Sequence, residues 1–172
     1  MRILLLILLI TFLTSCKVDN RWQTVPFVNL EKFMGDWYVI SILPNSIEKK
    51  AVNSIESYKL NEKGNIDITY SFFIDEPTGK KKVMHPKAEV YDLETNSEWR
   101  VQFIWPLKFA YLIIWLDEDY ETTVIGVPNQ KYVWIMSRKP EIAAAKYEMI
   151  LQHLRHLGYD VDKLMKIPQI WE

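Results

Sequence analysis

The chain is poor in residues that do covalent or metal chemistry: its 172 residues include one cysteine, three histidines and five glycines. A single cysteine, Cys16, excludes an intramolecular disulfide, so the fold has to be held by its core. His85, His153 and His156 are scattered, and although the last two are three apart, no Asp, Glu or Cys beside them completes a ligand set. Neither a metal nor another cofactor is expected, and no glycine-rich phosphate loop is present. An excess of one charge is missing too. The formal net charge is -1, with Lys and Glu interspersed, which gives no electrostatic reason to expect nucleic acid as a partner.

Long hydrophobic runs are equally scarce, and the one that exists lies at the start. Met1-Arg2 is a short positive lead, residues 3–12 are almost wholly apolar, and Leu13-Thr14-Ser15-Cys16 follows. That run is too short to span a bilayer comfortably and reads as an export signal. The four residues ending in Cys16 resemble a bacterial lipobox, whose cysteine is acylated and becomes the mature N-terminus. The expected organisation is a lipoprotein signal peptide over residues 1–15, a lipidated N-terminus and polar tether over 16–27, and one folded domain over 28–172. Lys17 after the cysteine favours the outer membrane under the enterobacterial sorting rule, with the domain tethered on the periplasmic face and held by the lipid at Cys16.

What the chain has in quantity is aromatic residues, at 13%. From Gly35 to Ser137 short segments rich in Val, Ile, Tyr, Phe and Trp alternate with Gly, Asn, Asp or Pro. Strands are predicted at 37–43, 53–60, 66–74, 83–92, 98–105, 109–116, 121–127 and 132–137. Short turns such as Asn61-Glu62-Lys63-Gly64-Asn65, Pro77-Thr78-Gly79 and Pro128-Asn129-Gln130 pair neighbours antiparallel. The fold class is therefore all-β: an eight-stranded antiparallel up-and-down β-barrel, closed so that no edge is left unpaired. The longer connection after the first strand is placed to act as a lid. Residues 140–158 then read as one α-helix, with Pro140 in its first turn and Gly158 at its C-cap. Ile142, Tyr147, Ile150, Leu154 and Leu157 form the stripe that packs it on the barrel's outside. Residues 164–167 are placed as a short strand beside the first.

Three motifs recur in order along this pattern. Gly35-Asp36-Trp37-Tyr38 opens the first strand, Asp119-Tyr120 lies in a late turn, and Arg138 follows the last strand within Tyr132-Val133-Trp134-Ile135-Met136-Ser137-Arg138-Lys139-Pro140. Together they resemble the lipocalin family, most closely its bacterial outer-membrane lipoproteins and the members similar to apolipoprotein D. The resemblance runs over residues 28–172. It implies that Gly35, Trp37, Asp119, Tyr120 and Arg138 are structural, with the Arg138 guanidinium covering Trp37 at a plugged base.

An eight-stranded barrel is wide enough for one small ligand, and its inward side chains alternate along each strand. In 98–105 one face carries Trp99, Val101, Phe103 and Trp105, the favoured lining. In 109–116 both faces are apolar. Tyr111, Ile113 and Trp115 compete with Leu112, Ile114 and Leu116, and the outer set lies either under the helix or in a homodimer contact. Val39, Tyr58, Tyr70 and Tyr91 complete the candidate lining. Such an interior suits an acyl chain with its polar head near the mouth, and the resemblance implies a fatty acid or lysophospholipid. Lys49-Lys50 and Lys80-Lys81-Lys82 read as solvated loops or as a surface attracting anionic headgroups or a membrane. With no catalytic constellation, the expected function is to carry or store a lipophilic molecule. The alternatives are an isomerase or epoxide enzyme on the same barrel, or a solid structural envelope protein.

Overall fold

A computed structural model describes residues 23–171. The expected signal peptide, the expected lipidation site Cys16 and most of the expected tether lie outside the described residues. The chain enters along the barrel wall, where the Val25 amide donates to the Ile113 carbonyl (2.9 Å) and that of Val28 to the Thr95 carbonyl (2.7 Å). A single helical turn, α1 (Leu30–Phe33), follows, with the Asn29 side chain accepting from the Lys32 amide as its N-cap.

The strands are β1 (Gly35–Ile42), β2 (Ala51–Leu60), β3 (Ile66–Ile74), β4 (Lys81–Met84), β5 (Lys87–Val90), β6 (Glu98–Ile104), β7 (Leu107–Leu116), β8 (Thr122–Gly126) and β9 (Val133–Ser137). Successive strands pair antiparallel except β4 and β5, which both pair with β3, and β9 returns to β1 through pairs such as Val39 with Met136, which closes the barrel. The predicted fourth strand, 83–92, is split: Pro86 has no N–H to offer, so pairing breaks at His85-Pro86 and resumes in β5. Counting β4 and β5 as one staggered strand, the closed barrel has eight, as the sequence predicts. A two-residue β10 (Met165–Lys166) pairs with Ser41 and Ile42, where a short strand was expected.

The long helix, α2 (Ala144–His156), starts later than 140. Pro140 is not in its first turn. Ala143, at the N-cap, has an extended ψ of 135° and offers no capping side chain, so residues 141–143 stay unwound. Its other end is well closed: Gly158 adopts φ +91°, and the Gln130 side chain donates through Nε2 to the Leu157 carbonyl at 2.6 Å.

Two cores share the strands. The inner one lies within the barrel and includes Trp37, Val39, Ile42, Tyr58, Ile66, Ile68, Phe72, Trp99, Ile113 and Met136. The outer one joins Leu112, Ile114, Val124, Val133 and Ile135 to Ile150 and Leu154 of α2. This settles the two-faced strand: the outward residues of β7 lie under the helix. Parity also changes within β7, because its register to β8 shifts between Ile113 and Trp115. Tyr111 and Ile113 belong to the inner core, whereas Trp115 packs with the outer one.

Candidate binding cavity

One end of the barrel is plugged. Gly35 takes φ +95°, and a Cβ there would sit 3.3 Å from Arg138 Nη1, so the position needs glycine twice over. Arg138 places its Cζ 3.7 Å from the Trp37 ring centroid. Its guanidinium also donates to the carbonyls of Lys32 (2.9 Å), Phe33 (3.0 Å), Met34 (2.8 Å), Asp36 (2.8 Å) and Tyr120 (3.3 Å). Most of these are the orphan carbonyls where α1 ends, so a planar cation both caps the turn and covers the indole. Trp37 Nε1 donates to the Phe33 carbonyl at 2.9 Å. Above it Phe33, Tyr58 and Trp99 stack edge to face, with centroids 5.3–5.7 Å apart.

Tyr120 sits at φ +57°, and its hydroxyl oxygen accepts from the Asn29 backbone amide at 2.8 Å, tying the turn to the start of α1. Asp119 is exposed. The turn's work falls instead on Asp117, which accepts from the amides of Glu121 (2.7 Å) and Thr122 (3.1 Å) and from Lys146 Nζ on α2 (2.6 Å). Burial alone would push the Asp117 carboxyl up, but these donors hold it below its ordinary range.

The other end opens into a cavity of about 740 Å³. Met84, Pro86, Val101, Phe103, Phe109 and Tyr132 form its apolar walls, and residues 45–48 cross its mouth. The floor is polar. Glu56 is 6% exposed and Glu48 is buried. Tyr111 Oη donates to Glu56 Oε2 (3.3 Å) and shares a short hydrogen bond with Tyr58 Oη. Glu48 reaches inward from the lid: its Oε1 accepts from Tyr70 Oη (2.6 Å) and Trp134 Nε1 (3.1 Å), while Asn45 closes the loop behind it. The Asn45 side chain also accepts from the amides of Ile47 and Glu48, folding the lid into a tight turn.

Burial, reinforced by the nearby Glu48, pushes the Glu56 carboxyl up to about 7 despite its tyrosine donors. Burial and the same glutamates raise the hydroxyls of Tyr58, Tyr70 and Tyr111 well above their ordinary range, so these tyrosines stay neutral donors.

Of the residues named as lining, the structure puts Tyr70, Val101, Phe103 and Tyr111 on the cavity wall. Val39, Tyr58, Trp99 and Ile113 are buried in the inner core beneath or beside it. Three lie elsewhere. Tyr91 is 63% exposed on the outer surface, where Arg100 stacks 3.6 Å from its centroid. Trp105 is 82% exposed at the tip between β6 and β7, where parity along a strand no longer applies. Trp115 is turned outward by the β7 irregularity and meets His153 of α2 at 5.3 Å. Sequence reasoning missed Glu48, Glu56 and Trp134. Glu56 has the parity of Tyr58 on the same strand and was available to that argument; a carboxylate is simply presumed to face water. Glu48 lies in a loop, where no parity exists.

A closed, plugged and capped barrel that opens into a cavity at its other end defines a small-molecule-binding β-barrel. The sequence profile of the Lipocalin-like domain matches residues 28–169, and the chain belongs to the lipocalin family. It is 29% identical to temperature-induced lipocalin-1 of Arabidopsis thaliana over 159 residues, covering 87% of this chain and 84% of that protein. It is 25% identical to the outer membrane lipoprotein Blc of Vibrio cholerae, covering 98% of this chain and 99% of that protein. Among solved structures, insecticyanin from the tobacco hornworm Manduca sexta superposes with a TM-score of 0.67 at 19% identity, over 88% of this chain and 85% of its own, a likeness of fold alone.

Proposed function

We propose that this protein is a cell-envelope lipoprotein that carries or stores a lipophilic molecule of the fatty acid or lysophospholipid class. The observation that carries the reading is the cavity: about 740 Å³ of open space behind apolar walls, at the end of a barrel whose other end is plugged. A solid structural barrel would have no such space. The similarity to Blc, named as an outer membrane lipoprotein, supports anchoring at Cys16 in the outer membrane with the barrel in the periplasm. Two acidic groups and no basic one at the floor disfavour a carboxylate or phosphate there, so the ligand's chain lies inward and its anionic head stays at the mouth.

Native mass spectrometry of the protein purified from its own cells should show a co-purified acyl compound, and a fluorescent fatty acid should be displaced by it. A protein that arrives empty and shows no saturable displacement would sink the carrier reading. Replacing Cys16 with Ala should move the protein from the membrane to the soluble fraction.

A second reading has one observation in its favour. Glu56, with a pKa of about 7 inside the cavity, could take and return a proton beside Tyr111. Glu56→Gln separates the two readings: it abolishes turnover in an enzyme but leaves a carrier's capacity for ligand intact.

A further inference from the structure

We propose that the open rim of the barrel is a docking surface for an anionic phospholipid membrane, so that the cavity mouth faces the bilayer directly. Seven of the fifteen large apolar side chains exposed among the described residues gather at this end. The hairpin between β6 and β7 carries Phe103, Ile104 (71% exposed), Trp105 (82%), Leu107 (56%) and Phe109, and Ile47 and Tyr132 stand across the mouth from it. A contiguous apolar surface with an aromatic tip is unusual on a protein that meets only water.

Charge identifies the partner. The connections and strand ends around the mouth bear Lys49, Lys50, Lys80, Lys81, Lys82, Lys108 and Lys131, all exposed, against the exposed carboxylates of Asp75 and Glu76. Lys50 pairs with Asp75 at 2.8 Å and Lys108 with Glu89 on the wall at 2.6 Å, which still leaves the rim strongly basic on a chain whose net charge is -1. Apolar side chains at the tip with lysines behind them is the arrangement that enters a headgroup layer while its cations meet anionic lipid. A second copy of the chain packed rim to rim would oppose two sets of lysines at short range, which disfavours that occupant. The inference depends on the rim alone and not on what the cavity holds.

The test uses the chain from residue 16 onward carrying Cys16→Ala, so that no acyl anchor contributes; among the described residues the core lies at Val25 and beyond. It is sedimented with phosphatidylcholine vesicles with and without phosphatidylglycerol. Binding should require the anionic lipid and weaken as salt rises. Lys80→Glu, Lys81→Glu and Lys82→Glu together should weaken it on the order of a hundredfold. Trp105→Ser should weaken it roughly tenfold and abolish quenching by brominated lipid chains at that site. Circular dichroism and fatty acid displacement in vesicle-free solution check that each variant is folded, and separate this inference from the carrier reading. No binding by the folded protein, equal binding to neutral vesicles, or unchanged binding by the variants would overturn it. So would a dimer in sedimentation equilibrium that Trp105→Ser dissolves, since the rim would then be covered by a second copy.

Discussion

The two ends of this barrel are built from the same kinds of residue to opposite effect. At the closed end Trp37 is fully buried, its N–H is satisfied and a guanidinium covers its ring. At the open end Trp105 is largely exposed, and carboxyl groups rather than a cation stand at the cavity floor. An aromatic side chain stabilises the fold in proportion to the area it loses to water, so one tryptophan is committed to stability and the other is left available for contact. Polar groups divide the same way: Arg138 satisfies backbone carbonyls, whereas Glu56 is held where its charged form is unfavourable.

Breaking the closed end should have the largest effect. Trp37→Ala is expected to lower unfolding free energy by about 3–5 kcal/mol through the cavity it leaves, measured by urea denaturation. A midpoint as little affected as that of Trp105→Ser, whose exposed position predicts a change within about 0.5 kcal/mol, would erase the contrast between the ends.

Glu56→Gln comes next, and its effect depends on pH. The folded-state pKa is about 7 against a reference of 4.5, so the unfolded chain releases this proton first as pH rises. The native state therefore loses stability between those two values, by on the order of 3 kcal/mol in all, and regains it as pH falls. The glutamine variant should lack this slope and gain stability relative to the parent at pH 8. Parallel stability profiles for the two proteins between pH 4 and 8 would show that Glu56 is not held in its neutral form.

Arg138→Lys keeps the charge but not the planar fork, and leaves several of the five carbonyls without a donor. A loss of about 2 kcal/mol is expected, with fatty acid affinity per folded molecule unchanged. A fall in affinity at constant stability would mean that the plug and the cavity communicate. Val101→Phe enlarges a cavity-wall side chain that is already 1% exposed, so overpacking should cost about 1–3 kcal/mol, with at least a tenfold loss of displacement activity. Intact binding by that variant would place the ligand elsewhere than the cavity.

Much of this was legible in the residues. Alternating apolar segments between turn residues define eight strands, and Gly35, Trp37 and Arg138 mark the plugged end because each has a local requirement: a positive φ, a large buried area, a planar cation. The cavity was less legible. Parity correctly groups Val101 with Phe103 on β6 and fails for Trp115, because one irregularity in β7 reverses the faces beyond it. It fails again for Trp105, which lies past the end of its strand. Asp117 rather than Asp119 ties the late turn to α2, a choice made by the position of Lys146 29 residues further on.

The sequence by itself determined the barrel, its order of strands, the closing helix and the family, since these follow from local periodicity and turn chemistry repeated along the chain. Only the tertiary structure decided that a lid carboxylate and a strand carboxylate meet beneath three tyrosines, and that one end is sealed while the other is rimmed with lysine and exposed aromatics. Those features depend on which distant residues closure brings together, and a carboxylate acquires a pKa near neutrality only when the surrounding barrel removes its water.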